Sequence, residues 1–376
     1  MRIESVESIP VDIPVKEPFE IGFWGRIDEL PTNIVRITTE DGTTGYGEAP
    51  SYQGFLDYAG EDHVTDKHIL ETYISEVLVG EDPLDIERNF QRMNEVVSGN
   101  WLIKSAVDMA MYDVAGKALD VPAYDLLGGL TREEQPVSKS IYFVPVEKGV
   151  ADAEQWVDEG ATIVKVKVGQ GIETDVEMVR SIREAVGTDI DIRIDANQEY
   201  SVKGAIRLYE RMKDAGVGLS FFEQPTDRDD YDGMATINDE IDVPVMADES
   251  VDTPDDVRRI AETGAADLLS VGTFKGGMTL PKKMITGADV MGLECYLGAT
   301  YGTNIGTAAS VHLTASLPNV TYGNETIGSY ILEESIVDGS FKEVFGWEDG
   351  YIRPPEKPGL GVTVDETKLE QYSAAW

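Results

Sequence analysis

The 376-residue chain is short of several things, and each shortage excludes something. A single cysteine, Cys295, rules out an internal disulfide and fits a reducing, cytoplasmic setting. Only 31 Lys and Arg stand against 70 Asp and Glu, a formal charge of −39. The basic surface that a phosphate backbone or an anionic membrane selects is therefore missing, and neither nucleic acid nor membrane is an expected partner. No run approaches the roughly 20 apolar residues needed to span a bilayer. The first residues lack the basic-then-apolar order of a secretory leader. What the chain has in excess is acid. With 41% hydrophobic residues it still has material for a full core. The acidity then reads as a halophilic surface, kept hydrated at very high salt, where screening removes most of the repulsion.

At about 150 residues per domain, the length suits two domains or a barrel with an appendage. Residues 1–15 alternate apolar and polar like a strand, and 33–38 is a second candidate. Asp41-Gly42 turns the chain into a returning strand over 43–49. A helix is expected over 103–119, stopping before Val121-Pro122. From residue 137 strand and helix alternate. Strands are expected at 137–143, 163–168, 190–195, 219–223, 243–248, 267–272, 293–298 and 320–325, with amphipathic helices between them such as 175–185, 205–215 and 254–263. Such a series implies parallel pairing with right-handed crossovers, and it closes as a (β/α)₈ barrel. An open doubly wound sheet is the runner-up, but the glycine-rich phosphate loop it normally carries is absent. The expected organisation is α/β: an N-terminal α+β capping domain over 1–125, a modified (β/α)₈ barrel over 126–350, and a tail over 351–376 that packs back on the capping domain.

Catalytic groups of such barrels stand at the C-terminal ends of the strands. Asp195, Glu223 and Asp248 end three successive strands, 28 residues apart from 195 to 223 and 25 apart from 223 to 248. One acid at a loop start is commonly a helix cap. Three side by side repel one another unless a cation lies among them. All-oxygen ligation favours Mg²⁺, with Mn²⁺ second. Lys165 and Lys167 share one face of the second barrel strand, with Val164, Val166 and Val168 on the other. An ordinary lysine, with a pKa of ~10.4, is a poor base at neutral pH; a second ammonium and a nearby cation lower that value. These groups suit proton transfer α to a carboxylate, with the enediolate stabilised electrostatically.

Residues 105–129 (SAVDMAMYDVAGKALDVPAYDLLGG), the KVK of strand two, IDAN, EQP, ADES and the terminal PGLGVTVDE together resemble the enolase superfamily, specifically its muconate-lactonizing-enzyme subgroup. The resemblance covers nearly the whole chain. It implies that Asp195, Glu223 and Asp248 are the metal ligands, Lys167 the acid/base, and Lys165 its pKa-lowering neighbour on the substrate carboxylate. It implies that Asn197 and Glu249 orient the ligands, that residues 19–26 and 52–58 close over the substrate, and that the chain assembles as a homo-oligomer.

The chain also departs from that pattern. The subgroup places a second lysine on strand six, in a segment close to K-x-x-K-x-G-G, and here Gly272 stands at its position. Lys275 is the only lysine of that segment and the remaining candidate for an acid/base on the opposite face. An Asp-His pair on strands six and seven is not available: His63 and His68 precede the barrel, and His312 falls in a helical stretch. The Asp-x-Asp of dipeptide epimerases is replaced by Gly323-Asn324-Glu325, and Gly302 stands where muconate-lactonizing enzymes carry a glutamate. Phe23, Trp24, Tyr301 and Glu325 are candidate substrate-lining residues. The expected activity is a Mg²⁺-dependent, cycloisomerase-like reaction on a small carboxylic acid. The alternatives are a racemase or epimerase of amino-acid derivatives using Lys167 and Lys275, a syn elimination of the succinylbenzoate-synthase type, and a catalytically idle metal-binding barrel.

Overall fold

Hydrophobic alternation builds the first layer. In the computed structural model, which describes residues 1–21, 25–51, 60–299, 301–325 and 328–373, strands β1 (Ile3–Ile21), β2 (Gly25–Thr39) and β3 (Thr44–Pro50) form an antiparallel sheet in that order. Strand β1 runs past the expected residue 15, because Phe19 pairs with Ile27 beyond an irregularity after Pro14. Helices α1 (His63–Ile69), α2 (Ile86–Val96) and α3 (Trp101–Leu119) follow. Helix α3 is buried from Leu102 to Gly116 and lies against β3. Glycine permits that approach: a Cβ on Gly47 would stand 1.8 Å from the Ala106 carbonyl oxygen.

All eight expected barrel strands are present: β4 (Ser138–Ile141), β5 (Ile163–Lys167), β6 (Asp191–Asp195), β7 (Leu219–Glu223), β8 (Val245–Ala247), β9 (Leu268–Ser270), β10 (Glu294–Leu297) and β11 (Val320–Asn324). Each pairs in parallel with the next, and a parallel bridge from Val137 to Asn324 brings the last strand round to the first. Between them run α4 (Val146–Asp158), α5 (Ile172–Val186), α6 (Val202–Asp214), α7 (Tyr231–Glu240), α8 (Pro254–Thr263), α9 (Thr279–Met291) and α10 (Asn304–Ser316). The fold is a (β/α)₈ barrel with an N-terminal strand-and-helix domain. Strands β8 to β10 are shorter than the sequence suggests. Their pairing stops where the backbone turns out at the mouth, as at Asp248, whose N–H is taken by the Gln224 side chain at 2.9 Å.

Below the mouth the barrel is plugged. Phe221, Met246, Leu268 and Tyr296 pack inside it, with the buried Arg193 guanidinium 4.8 Å from the Phe221 ring. Buried acids join the first domain to the barrel. Glu48 of β3 accepts from the Thr303 and Gly306 N–H groups at 2.7 and 2.9 Å, at the start of α10. Asp113 of α3 accepts from the Leu360 N–H at 2.9 Å, and Val11 bridges to Ser373. His312 is packed in α10, where burial pushes its pKa down to about 4. Among the described residues no helix is long and apolar enough to cross a membrane.

Candidate active site

Strand alternation aims the chemistry. Val164 and Val166 are fully buried on one face of β5, and Lys165 and Lys167 leave it on the other. In register, Lys167 pairs with Asp195 and Asp195 with Glu223, so the strand ends present these groups side by side at one mouth. One pocket is lined by Lys165, Lys167, Asp195, Asn197, Glu223, Asp248, Phe274, Tyr301 and Glu325, among others.

The lysines thread the acids. Lys165 Nζ donates to Glu325 at 2.5 Å and to Glu223 at 3.0 Å, and lies 3.3 Å from Asp195. Lys167 Nζ donates to Asp195 at 2.5 Å and to Asn197 Oδ1 at 3.0 Å. Asn197 Nδ2 passes the contact on to Glu249 at 3.1 Å. Burial and then the Asp195 charge push the Glu223 carboxyl well above the usual carboxylate range, with Lys165 opposing and Asp248 adding to the rise. Glu249 is pushed up to about 8 by burial and by the Asp248 and Asp195 charges. Burial is the largest single influence on Lys167 and works against its charge, but the Asp195, Glu325 and Glu223 charges together hold the ammonium above its ordinary value. The sequence argument lowered that value with Lys165 and a bound cation together, and of these two the Lys165 charge acts in the lowering direction here.

The donor set fits a hard divalent cation. Among the described residues no three acidic, His or Cys side chains are drawn together as a ready ligand cluster, and the Lys165 ammonium lies between Asp195 and Glu223 instead. Glu223 and Glu249 are driven towards the neutral acid because burial and the Asp195 and Asp248 charges crowd them, and a divalent cation among these oxygens would relieve that crowding. Crowded carboxylate oxygens of this kind are what Mg²⁺ or Mn²⁺ takes up.

Known proteins resemble this chain in sequence and fold. Residues 4–128 match the "Mandelate racemase / muconate lactonizing enzyme, N-terminal domain" family, and residues 148–368 match the "Enolase C-terminal domain-like" family. The chain belongs to the enolase superfamily. It is 30% identical to an N-succinyl-L-Arg/Lys racemase of Bacillus cereus, over 99% of this chain and 98% of that one. It is 31% identical to an L-Ala-D/L-Glu epimerase of Bacillus subtilis, over 96% and 97%. The crystal structure of a muconate lactonizing enzyme from Pseudomonas fluorescens, complexed with muconolactone, superimposes with a TM-score of 0.94 at 29% identity, over 99% of both chains.

The other sequence-selected positions of this enolase-superfamily chain fall as follows. Lys275 is buried and approaches the acids from outside the pocket. Its Nζ donates to the carbonyls of Asp248 at 2.6 Å, Val251 at 3.0 Å and Ser270 at 3.3 Å, and to Asp248 Oδ1 at 3.1 Å. At Gly272 a Cβ would stand 2.2 Å from the Phe274 ring, so that ring fills the space a side chain at 272 would need. A Cβ at Gly302 would stand 3.0 Å from Glu48 Oε1, so the capping domain supplies a carboxylate there. Glu325 and Tyr301 line the pocket; Phe23, Trp24 and residues 52–58 lie outside the described residues.

Three supporting contacts escaped the sequence argument. Gln224, whose φ of 31° is rare for a non-glycine residue, holds the Asp248 and Ser250 N–H groups with one oxygen. Ser140 donates to Glu325. From α3, Ser105 Oγ donates to the Phe274 carbonyl at 2.9 Å and accepts from the Gly276 N–H at 2.9 Å, while Asp108 accepts from Met278 and Thr279 at 2.7 and 2.9 Å. The only sequence signal for the α3 pair was the 105–129 motif, which carried no assigned role.

Proposed function

We propose that this enolase-superfamily enzyme transfers a proton at the carbon next to a substrate carboxylate from one face only, through Lys167, in a cycloisomerase-like reaction dependent on Mg²⁺ or Mn²⁺. Asp195, Glu223 and Asp248 would hold the cation. When bound it supplies the positive charge that stabilises the negative charge developing on the substrate carboxylate. Lys165, pinned among Glu223, Asp195 and Glu325, fixes the charge pattern beside the reacting group. In its contact with Asp195, Lys167 is held as the ammonium, the form that delivers a proton to carbon; the reverse step needs the amine. Asn197 orients its Nζ from the side.

The observation that carries this reading is the opposite face, where Phe274 stands over Gly272 and Lys275 is tied to three backbone carbonyls. A two-base racemase or epimerase is the second reading. It is favoured by the racemase and epimerase relatives and by the contact of Lys275 with Asp248. A syn elimination would need the same single face, and an idle barrel leaves the buried lysine pair without a purpose. We also propose that the acidic surface serves work at molar salt. Lys167→Ala tests the central role: turnover per folded molecule should fall about 10²–10⁴-fold. Retained turnover would remove Lys167 from the mechanism.

A further inference from the structure

Three successive barrel strands end in an acid, and the next strand ends in a hydroxyl. Leu269 pairs with Ala247, so Ser270 lies beside Asp248 in the sheet. Ser270 is 1% exposed and lines the catalytic pocket. Its Oγ is enclosed and has no hydrogen-bond partner among the described residues. Buried hydroxyls in folded chains are nearly always paired, so an unpaired one at a pocket wall points to a ligand. Ser140, on the first barrel strand, spends its own hydroxyl on Glu325.

The neighbours of this hydroxyl say what kind of ligand it awaits. A Cβ at Gly298 would stand 2.2 Å from Ser270 Oγ and 3.8 Å from Asp248 Oδ1, so the glycine leaves hydroxyl and carboxylate facing one gap. From behind, Lys275 Nζ donates to the Ser270 carbonyl at 3.3 Å and to Asp248 Oδ1 at 3.1 Å, which fixes both residues from the far side. An oxygen so enclosed is reached by something of the size of water. Mg²⁺ gives up its waters reluctantly and keeps several when carboxylates bind it, because three carboxylates do not fill its six positions. A water on such an ion has two protons to donate, and a serine oxygen can accept one.

We propose that Ser270 is a positioning residue of the cation site: its Oγ accepts from a water ligand of the ion held by Asp195, Glu223 and Asp248. The proposal rests on the cation assigned above and not on which face Lys167 serves. Mn²⁺ titrated into the full chain at molar KCl, without substrate, tests it. Electron paramagnetic resonance reads the affinity, and water-proton relaxation reads the waters kept on the bound ion. Ser270→Ala should weaken Mn²⁺ binding about 10–100-fold, as loss of a group behind a metal ligand does, and should change the relaxation of the bound ion. Ser270→Thr, which keeps the hydroxyl, should restore both. The melting temperature of the metal-free Ser270→Ala protein should not fall, because there the hydroxyl has no bond to lose. Unchanged affinity and relaxation in Ser270→Ala, or a lower melting temperature without metal, would overturn the proposal. A wild-type protein that binds no Mn²⁺ would overturn it together with the cation assignment. The expected Mn²⁺ behaviour in a protein whose Lys167→Ala variant keeps its turnover would support Ser270 and contradict the role of Lys167 instead.

Discussion

Two lysines reach the same row of carboxylates from opposite sides of the barrel mouth. Lys167 comes through the pocket, 10% exposed, with Asp195 and an asparagine oxygen as partners. Lys275 comes from behind, 2% exposed, with three of its four hydrogen bonds on backbone carbonyls. An ammonium on side chains at a pocket wall can exchange partners when substrate arrives. One fixed by carbonyls of three different residues holds the loops together. On the proposed function the same residue type does chemistry on one side and architecture on the other, and the aromatic ring over Gly272 completes the passive side.

The contrast can be broken most severely at Lys275. Removing one partner of a buried ion pair costs about 3–5 kcal/mol. Urea unfolding of Lys275→Met should show a loss of that order, with turnover per folded molecule reduced far less than by Lys167→Ala. A stable but inactive Lys275→Met would make the two sides equivalent. Next in size is the cation. At a hundredfold excess over its dissociation constant, Mg²⁺ should add about 2.7 kcal/mol of stability, read as a rise in melting temperature at constant ionic strength. Glu223→Gln should erase that rise, and an unchanged rise would remove Glu223 from the site. Smallest is Gly272→Ala, where the added methyl meets the Phe274 ring. It should cost about 1–3 kcal/mol, as overpacking does, and a second change, Phe274→Ala, should recover part of it. A neutral Gly272→Ala would show that the ring does not fill this face.

The barrel was legible because eight apolar segments recur at one-unit spacing, and the three acids because each sits at such a segment's end. Lys167 and Lys165 were legible from a period of two. The gap at Gly272 could be read only against the pattern of the family the chain resembles, and what fills it could not be read at all: Phe274 reaches it from two residues downstream across a turn. Nor could Glu48 beside Gly302, or Ser105 and Asp108 beneath the Phe274 loop, since those contacts join segments 169 to 255 residues apart. The contact of Lys167 with Asp195 at 2.5 Å was hidden for a related reason: sequence shows which charges are nearby but not which one touches.

One-faced proton transfer is the central claim, and hydrogen exchange at carbon reads it directly. A substrate found by screening muconates, acid-sugars and dipeptides would be incubated in D₂O with Mg²⁺ at molar salt, each enantiomer of the substrate or product separately, and followed by proton NMR. Deuterium should enter next to the carboxylate in one enantiomer only, and Lys167→Ala should abolish that entry. Exchange of both enantiomers, with the second lost in Lys275→Met, would contradict the account and establish a two-base racemase or epimerase.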